Sequence, residues 1–122
     1  MNERKTMLDH LDAVTAAGEH HRVVLENDRV RVLETIIRPG EQTALHTHIW
    51  AAHLYILSWS EFERSDAVGQ VIFRSSDFDL ERLPDVGTSL WSEPLPPHSF
   101  RNVGTQNFHV ITTELKTGSP EG

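Results

Sequence analysis

Apolar and polar residues follow two different rhythms along this chain. Near the start, Leu8, Leu11 and Val14 recur at helical spacing. Thr6 with Asp9 three residues on is a helix-capping signal, and Gly18 is a stop, so a short helix is predicted over residues 6–17. From Val23 the period changes to two. Val23–Glu26 reads as a strand and Asn27-Asp28 as a tight turn. Residues 29–38 then alternate, with Val30, Val32, Glu34 and Ile36 on one face and Arg31, Leu33, Thr35 and Ile37 on the other. Further strands are predicted over 42–48, 52–58, 69–74, 87–92, 98–103 and 107–115. Most are separated by turn residues such as Gly40, Asp66, Gly69, Pro84-Asp85, Pro96-Pro97 and Gly104-Thr105. Residues 75–86 read as irregular, with room for a helical turn. Many short strands at this spacing indicate an all-β sandwich or barrel. The expected organisation is an N-terminal helical segment over 1–20, a β-barrel over 21–116 and a mobile tail over 117–122.

Composition narrows the function classes. A chain of 122 residues fits one domain with a sizeable core. With 38% hydrophobic and 24% charged residues it reads as a globular protein. The longest apolar stretch, Trp50 to Leu57, is interrupted by His53 and too short to cross a bilayer. The N-terminus has no apolar signal core, so the cytoplasm is the expected location. The absence of cysteine excludes disulfides, thiolate metal sites and cysteine nucleophiles. The net charge of −7, without a basic cluster, argues against nucleic-acid and anionic-membrane partners.

The candidate chemistry is carried by histidines. Pro39-Gly40 signals a turn, and the strand after it carries His46 and His48. Side chains alternate along a strand, so these two share one face, about 6.6 Å apart along the backbone. A third imidazole from a distant strand, His98, would let the set close on one metal ion. Imidazole suits zinc, copper, iron and nickel. No Ser-His-Asp arrangement, phosphate-binding glycine loop or carboxylate pair stands out.

Gly40-x5-His46-x-His48-x4-His53, followed by Gly87 and His98-x3-Asn102, resembles the two motifs of the cupin family. His53 stands where the first motif has glutamate, and Ser60 where it has a closing glycine. In the second motif Glu93 and Leu95 stand at the proline and inner glycine positions, with Pro94 one step late. The run Val24 to Glu34 also resembles the opening strands of small bacterial cupins, including ones associated with β-alanine degradation. The resemblance covers roughly residues 21–116. It implies a double-stranded β-helix, or jelly-roll barrel, commonly a homodimer.

The resemblance further implies one divalent transition metal (iron, nickel, manganese or zinc) on His46, His48 and His98, with His53 as fourth ligand if it faces inward. Four neutral imidazoles would leave a divalent ion its full charge and favour anionic ligands. Asn102 would orient a ligand. Tyr55 and Leu57 share the face of His53, and Phe100 that of His98. They would line an apolar pocket in which Tyr55 is the candidate catalytic proton donor. Glu34 and Arg101 are weaker pocket candidates. His10, His20 and His21 read as solvated, and Trp50, Trp59 and Trp91 as packing residues. The expected function is a metal-dependent enzyme of dioxygenase, isomerase or lyase type acting on a small organic acid or carbonyl compound. The alternatives are a non-catalytic module binding a small molecule or metal, and a metal-free barrel kept as a structural dimer.

Overall fold

The computed structural model describes residues 10–77 and 85–116. The capping pair Thr6 and Asp9, Leu8, most of the irregular segment 75–86 and the tail 117–122 lie outside the described residues. Two antiparallel sheets face each other. One is ordered β1 (His21–Glu26), β2 (Val30–Ile37), β9 (Phe108–Leu115), β4 (Ala52–Ser58), β7 (Ser89–Ser92). The other is ordered β3 (His46–His48), β8 (Leu95–Asn102), β5 (Phe62–Ser65), β6 (Val71–Arg74). A short helix α1 (Ala13–Ala16) precedes β1, and a 3-10 turn spans Ser75–Asp77.

Alternation sets what faces inward. Arg31, Leu33, Thr35 and Ile37 are the buried positions of β2, and Phe108, Val110, Thr112 and Glu114 those of β9. Ile37, Ile56, Phe62, Phe108 and Val110 form the apolar core between the sheets, with Trp59, Phe73 and Phe100 packed against it. The turn at Pro39-Gly40 is formed as the sequence predicts. Glu41 N donates to Arg38 O, and Gly40 takes φ +84°, the left-handed conformation that the third position of a type II turn requires.

Several elements differ from expectation. Of the predicted 6–17 helix, Leu11 and Asp12 lie outside α1, which spans Ala13–Ala16, and the predicted 42–48 strand is formed only over His46–His48. β1 begins at His21 rather than Val23. β8 begins at Leu95, so the proline pair lies inside it. There His46 pairs with His98 but His48 with Leu95, so three residues of β8 oppose two of β3. Prolines lack the N–H a ladder needs, and a bulge is where a strand tolerates them. Finally, β5 carries no apolar alternation. Its inward positions are Phe62 and Arg64, and charge at the second hides the strand from a hydrophobic pattern.

Candidate metal centre and its cavity

Four imidazoles meet at one end of the space between the sheets. His46 and His48 project from β3, and His98 is the direct partner of His46 across the β3–β8 ladder. His21 joins them because it opposes Thr35, an inward position of β2. Ring centroids of His46 lie 4.7 Å from His21, 5.0 Å from His48 and 4.5 Å from His98. One ring nitrogen from each of His21, His46 and His48 lies within 4.8 Å of the other two. Ligands at ~2.0–2.1 Å from one ion stand roughly 3–4 Å apart, so small side-chain rotations would bring the three onto a shared metal.

The second nitrogen of every ring is already engaged. Nδ1 of His21 donates to Ala17 O at 3.0 Å, that of His46 to Ala44 O at 2.8 Å, and that of His98 to Pro96 O at 2.8 Å. Nδ1 of His48 donates to Glu114 Oε2 at 3.2 Å. Carbonyl and carboxylate oxygens only accept, so each Nδ1 carries a hydrogen, and in the neutral ring Nε2 keeps its lone pair. Metal-binding histidines characteristically use their other nitrogen this way, which fixes tautomer and ring orientation. Burial, the largest cause in each case, lowers the pKa of His21 to about 3, of His46 to about 4 and of His98 to about 3. These rings are therefore neutral near pH 7, the form that binds metal.

Glu114 is fully buried and belongs to a charged network. Its Oε1 accepts from Arg31 Nε at 2.6 Å, and Arg31 also donates to both carboxylate oxygens of Asp12 at 2.9 and 2.7 Å. Burial raises the Asp12 pKa, but the hydrogen bonds and charge of Arg31 outweigh it, and the net shift is downward. Asp12 also caps α1 through Val14 N. His48 is thus tied through Glu114 and Arg31 to the segment preceding the barrel.

His53 and Tyr55 are not brought to this site. Ala52, Leu54 and Ile56 are the inward positions of β4, so His53 and Tyr55 fall on its outer face, and Tyr55 is 41% exposed. The residue count places His53 at the glutamate position of the cupin motif, but the turn over Ile49–Ala51 leaves Ala52 facing in. His21, expected to be solvated, supplies the fourth imidazole from a different strand. His10 is exposed, and His20 lies 3.5 Å from Glu41. Asn102 does not touch His98. Its amide donates to Ile37 O and Gln106 O and accepts from Ser60 and Gly104, so it knits strand ends together. Glu34 lies outside the barrel with Arg22 and His109, and Arg101 is exposed.

The histidines open onto a cavity of about 360 Å³. Its far wall is aromatic, built from Trp59, Phe62, Phe73, Phe100 and Phe108, with Arg64 among them. The indole Nε1 of Trp59 is buried without a hydrogen-bond partner. Tyrosine and acidic residues are absent from the wall among the described residues.

Solved structures share this architecture. A cupin domain from Bordetella pertussis Tohama I superposes with a TM-score of 0.61 at 22% identity, covering 80% of this chain and 92% of that one. The fold is that of a cupin. An RmlC-like cupin family protein with a double-stranded β-helix from Methanocaldococcus jannaschii gives a TM-score of 0.53 at 12% identity, covering 78% and 77%. The polyketide cyclase RemF from Streptomyces resistomycificus gives 0.51 at 19%, covering 85% and 71%. No family model and no curated protein matches the sequence. Identities this low carry the fold alone, and the cupin fold hosts many chemistries. No helix among the described residues is long and apolar enough to cross a membrane.

Proposed function

We propose that this cupin holds one divalent transition metal on His21, His46, His48 and His98 and acts with it on a small organic acid or carbonyl compound. The observation that carries the reading is the set of engaged Nδ1 atoms on four neighbouring rings, three of which, His21, His46 and His48, already bring a ring nitrogen within 4.8 Å of one another. A metal so held would supply Lewis-acid activation of substrate oxygens, or oxygen activation if it is iron. The protein residues orient the ligands, keep His21, His46 and His98 neutral by burial and surround the site with an apolar wall. Four neutral imidazoles would leave the ion its full +2 charge, which favours carboxylates and enolates.

A second reading, a non-catalytic binding module, draws support from the absence of tyrosine and carboxylate in the described cavity wall. With Tyr55 outside, the histidines themselves are the lining groups suited to moving a proton. Elemental analysis of protein purified without chelator or nickel resin tests the shared premise. About one transition metal per chain is expected from a single site. A value near zero that added iron, nickel, manganese or zinc does not raise refutes both metal readings. Turnover of 2-oxo or enolisable acids by the loaded protein, absent in the His46→Ala variant, then separates enzyme from module.

A further inference from the structure

Among the described residues, four arginines and lysines have carboxylate partners. Arg22 pairs with Glu34, Arg31 with Asp12 and Glu114, Arg74 with Glu63, and Lys116 with Glu26, while the cations without one are exposed save for Arg64. Arg64 lies inside. It opposes Phe100 across the β5–β8 ladder and Phe73 across β5–β6, on the inward side that Phe62 also occupies. Its guanidinium sits over the Phe73 ring, 4.6 Å from the centroid, and lines the same cavity as the histidines. No carboxylate or other hydrogen-bond acceptor among the described residues engages it, although the chain has 18 acidic residues.

A partly buried cation without a partner is costly to hold, and a stacked aromatic offsets only part of its lost hydration. Burial lowers the Arg64 pKa, a mark of that desolvation, yet a guanidinium stays charged at any physiological pH. Arg64 and His98 line the same cavity, so the two groups face one shared space. The wall's other unpartnered polar atom, Trp59 Nε1, is a donor as well. The aromatic end of the cavity, where Arg64 and Trp59 offer donors, is complementary to an acceptor-only group on an apolar body.

We propose that Arg64 is the carboxylate-recognising residue of this cavity. Its ligand is a monocarboxylate with an apolar body of aryl-alkyl kind, held at one end by the guanidinium fork while the other end is presented to the histidine cluster. This rests on reading the cavity as the small-molecule site, but it does not require the metal. Planar bidentate recognition of carboxylate is the geometry in which arginine surpasses lysine. At pH ~7.5, above the ordinary ~6.5 of histidine, Arg64 is the full positive charge of the metal-free wall.

The test is calorimetric titration of metal-free protein with 3-phenylpropionate and with its neutral amide. Wild-type protein is expected to prefer the acid by about 10–100-fold, the worth of a charge-assisted hydrogen bond. Arg64→Met should abolish the preference while amide binding persists, which also reports that the cavity is intact. Arg64→Lys, which keeps the charge and is the fallback if the methionine variant does not fold, should retain a reduced preference. Equal binding of acid and amide by wild-type protein, binding of neither, or an unreduced preference in both variants overturns the proposal. Because the measurement uses metal-free protein, a cavity that prefers the acid in a chain that never takes up metal would leave Arg64 standing and remove only the metal reading.

Discussion

Replacing His21 and His53 separately by alanine sets the structure against the motif count. His21 is buried, its ring is in edge contact with those of His46 and His48, and its Nδ1–H is bonded to Ala17 O. His53 lies on the outer face of β4, opposite Thr113 and Trp91. Removing a residue that merely orients a metal ligand costs about 10–100-fold in affinity, or roughly 1.4–2.7 kcal/mol. Removing a ligand should cost at least as much, so His21→Ala should weaken zinc binding by more than ~10-fold, and His53→Ala by less than ~2-fold. His21→Ala also deletes a buried hydrogen bond, worth about 1 kcal/mol of stability to the metal-free protein. Zinc affinity is read by competition with a chromophoric chelator, and stability by urea unfolding of the same metal-free samples. An unchanged Kd in His21→Ala, or an equal loss in His53→Ala, would refute the assignment of the fourth imidazole.

Other outcomes follow from the same contacts. Glu114→Gln leaves Arg31 with Asp12 as its remaining carboxylate and removes the acceptor charge behind His48; it should cost about 1–3 kcal/mol in urea unfolding and about 10–100-fold in metal affinity. Gly104→Ala would put a Cβ 2.1 Å from Ser60 Oγ and 2.8 Å from Glu61 N, so it should lower stability by about 1–3 kcal/mol, and Ser60→Ala should relieve only part of that because the backbone clash remains. The fold holds the rings of His21, His46 and His98 at pKa values of about 3, 4 and 3, below the ~6.5 of the unfolded chain. Between those values the unfolded state binds more protons, so stability present above pH ~6.5 is lost as pH falls, by roughly 1.4 kcal/mol per pH unit for each ring. Metal release and loss of the tertiary circular-dichroism signal should therefore share one acid midpoint, and metal leaving a still-folded protein near pH ~6 would contradict the burial argument.

The barrel was legible because most of its strands bury one face, and burial writes period two into the sequence. β2 and β9 are read correctly for that reason, and in β2 down to which residues share a face. The site was half legible. His-x-His on one strand face and the spacing to His98 are properties of the chain, visible without a structure. Facing across a turn is not, and the three residues Ile49 to Ala51 decide that Ala52, not His53, points inward. The place of His21 depends on its pairing with Thr35 across a hairpin whose bulge between Val23 and Leu25 breaks the parity of β1, so counting back from the Asn27-Asp28 turn fails. Strand β5 was invisible because Arg64 occupies a position that core packing alone would fill with an apolar residue. Such local conflicts between pattern and fold concentrate where side chains serve something other than packing.

The orientation of the four imidazoles divides into two kinds of support. His46 and His98 each bond a carbonyl two residues back, and His21 one four residues back. Any residue type supplies a carbonyl, so this support leaves no trace in composition and survives substitution of the side chains that flank it. His48 is different, because its acceptor is a carboxylate 66 residues away that is fully buried and shared with Arg31. A buried carboxylate is tolerated only when paired, and Arg31 in turn is shared with Asp12, the cap of α1. Ala17, which closes the same helix, holds the ring of His21. Two of the four rings are thus oriented by the segment from Asp12 to Ala17, which precedes the barrel in the chain. That segment is part of the proposed metal centre, and a chain beginning at His21 would keep all four histidines while losing the groups that aim His21 and, through Arg31, steady His48.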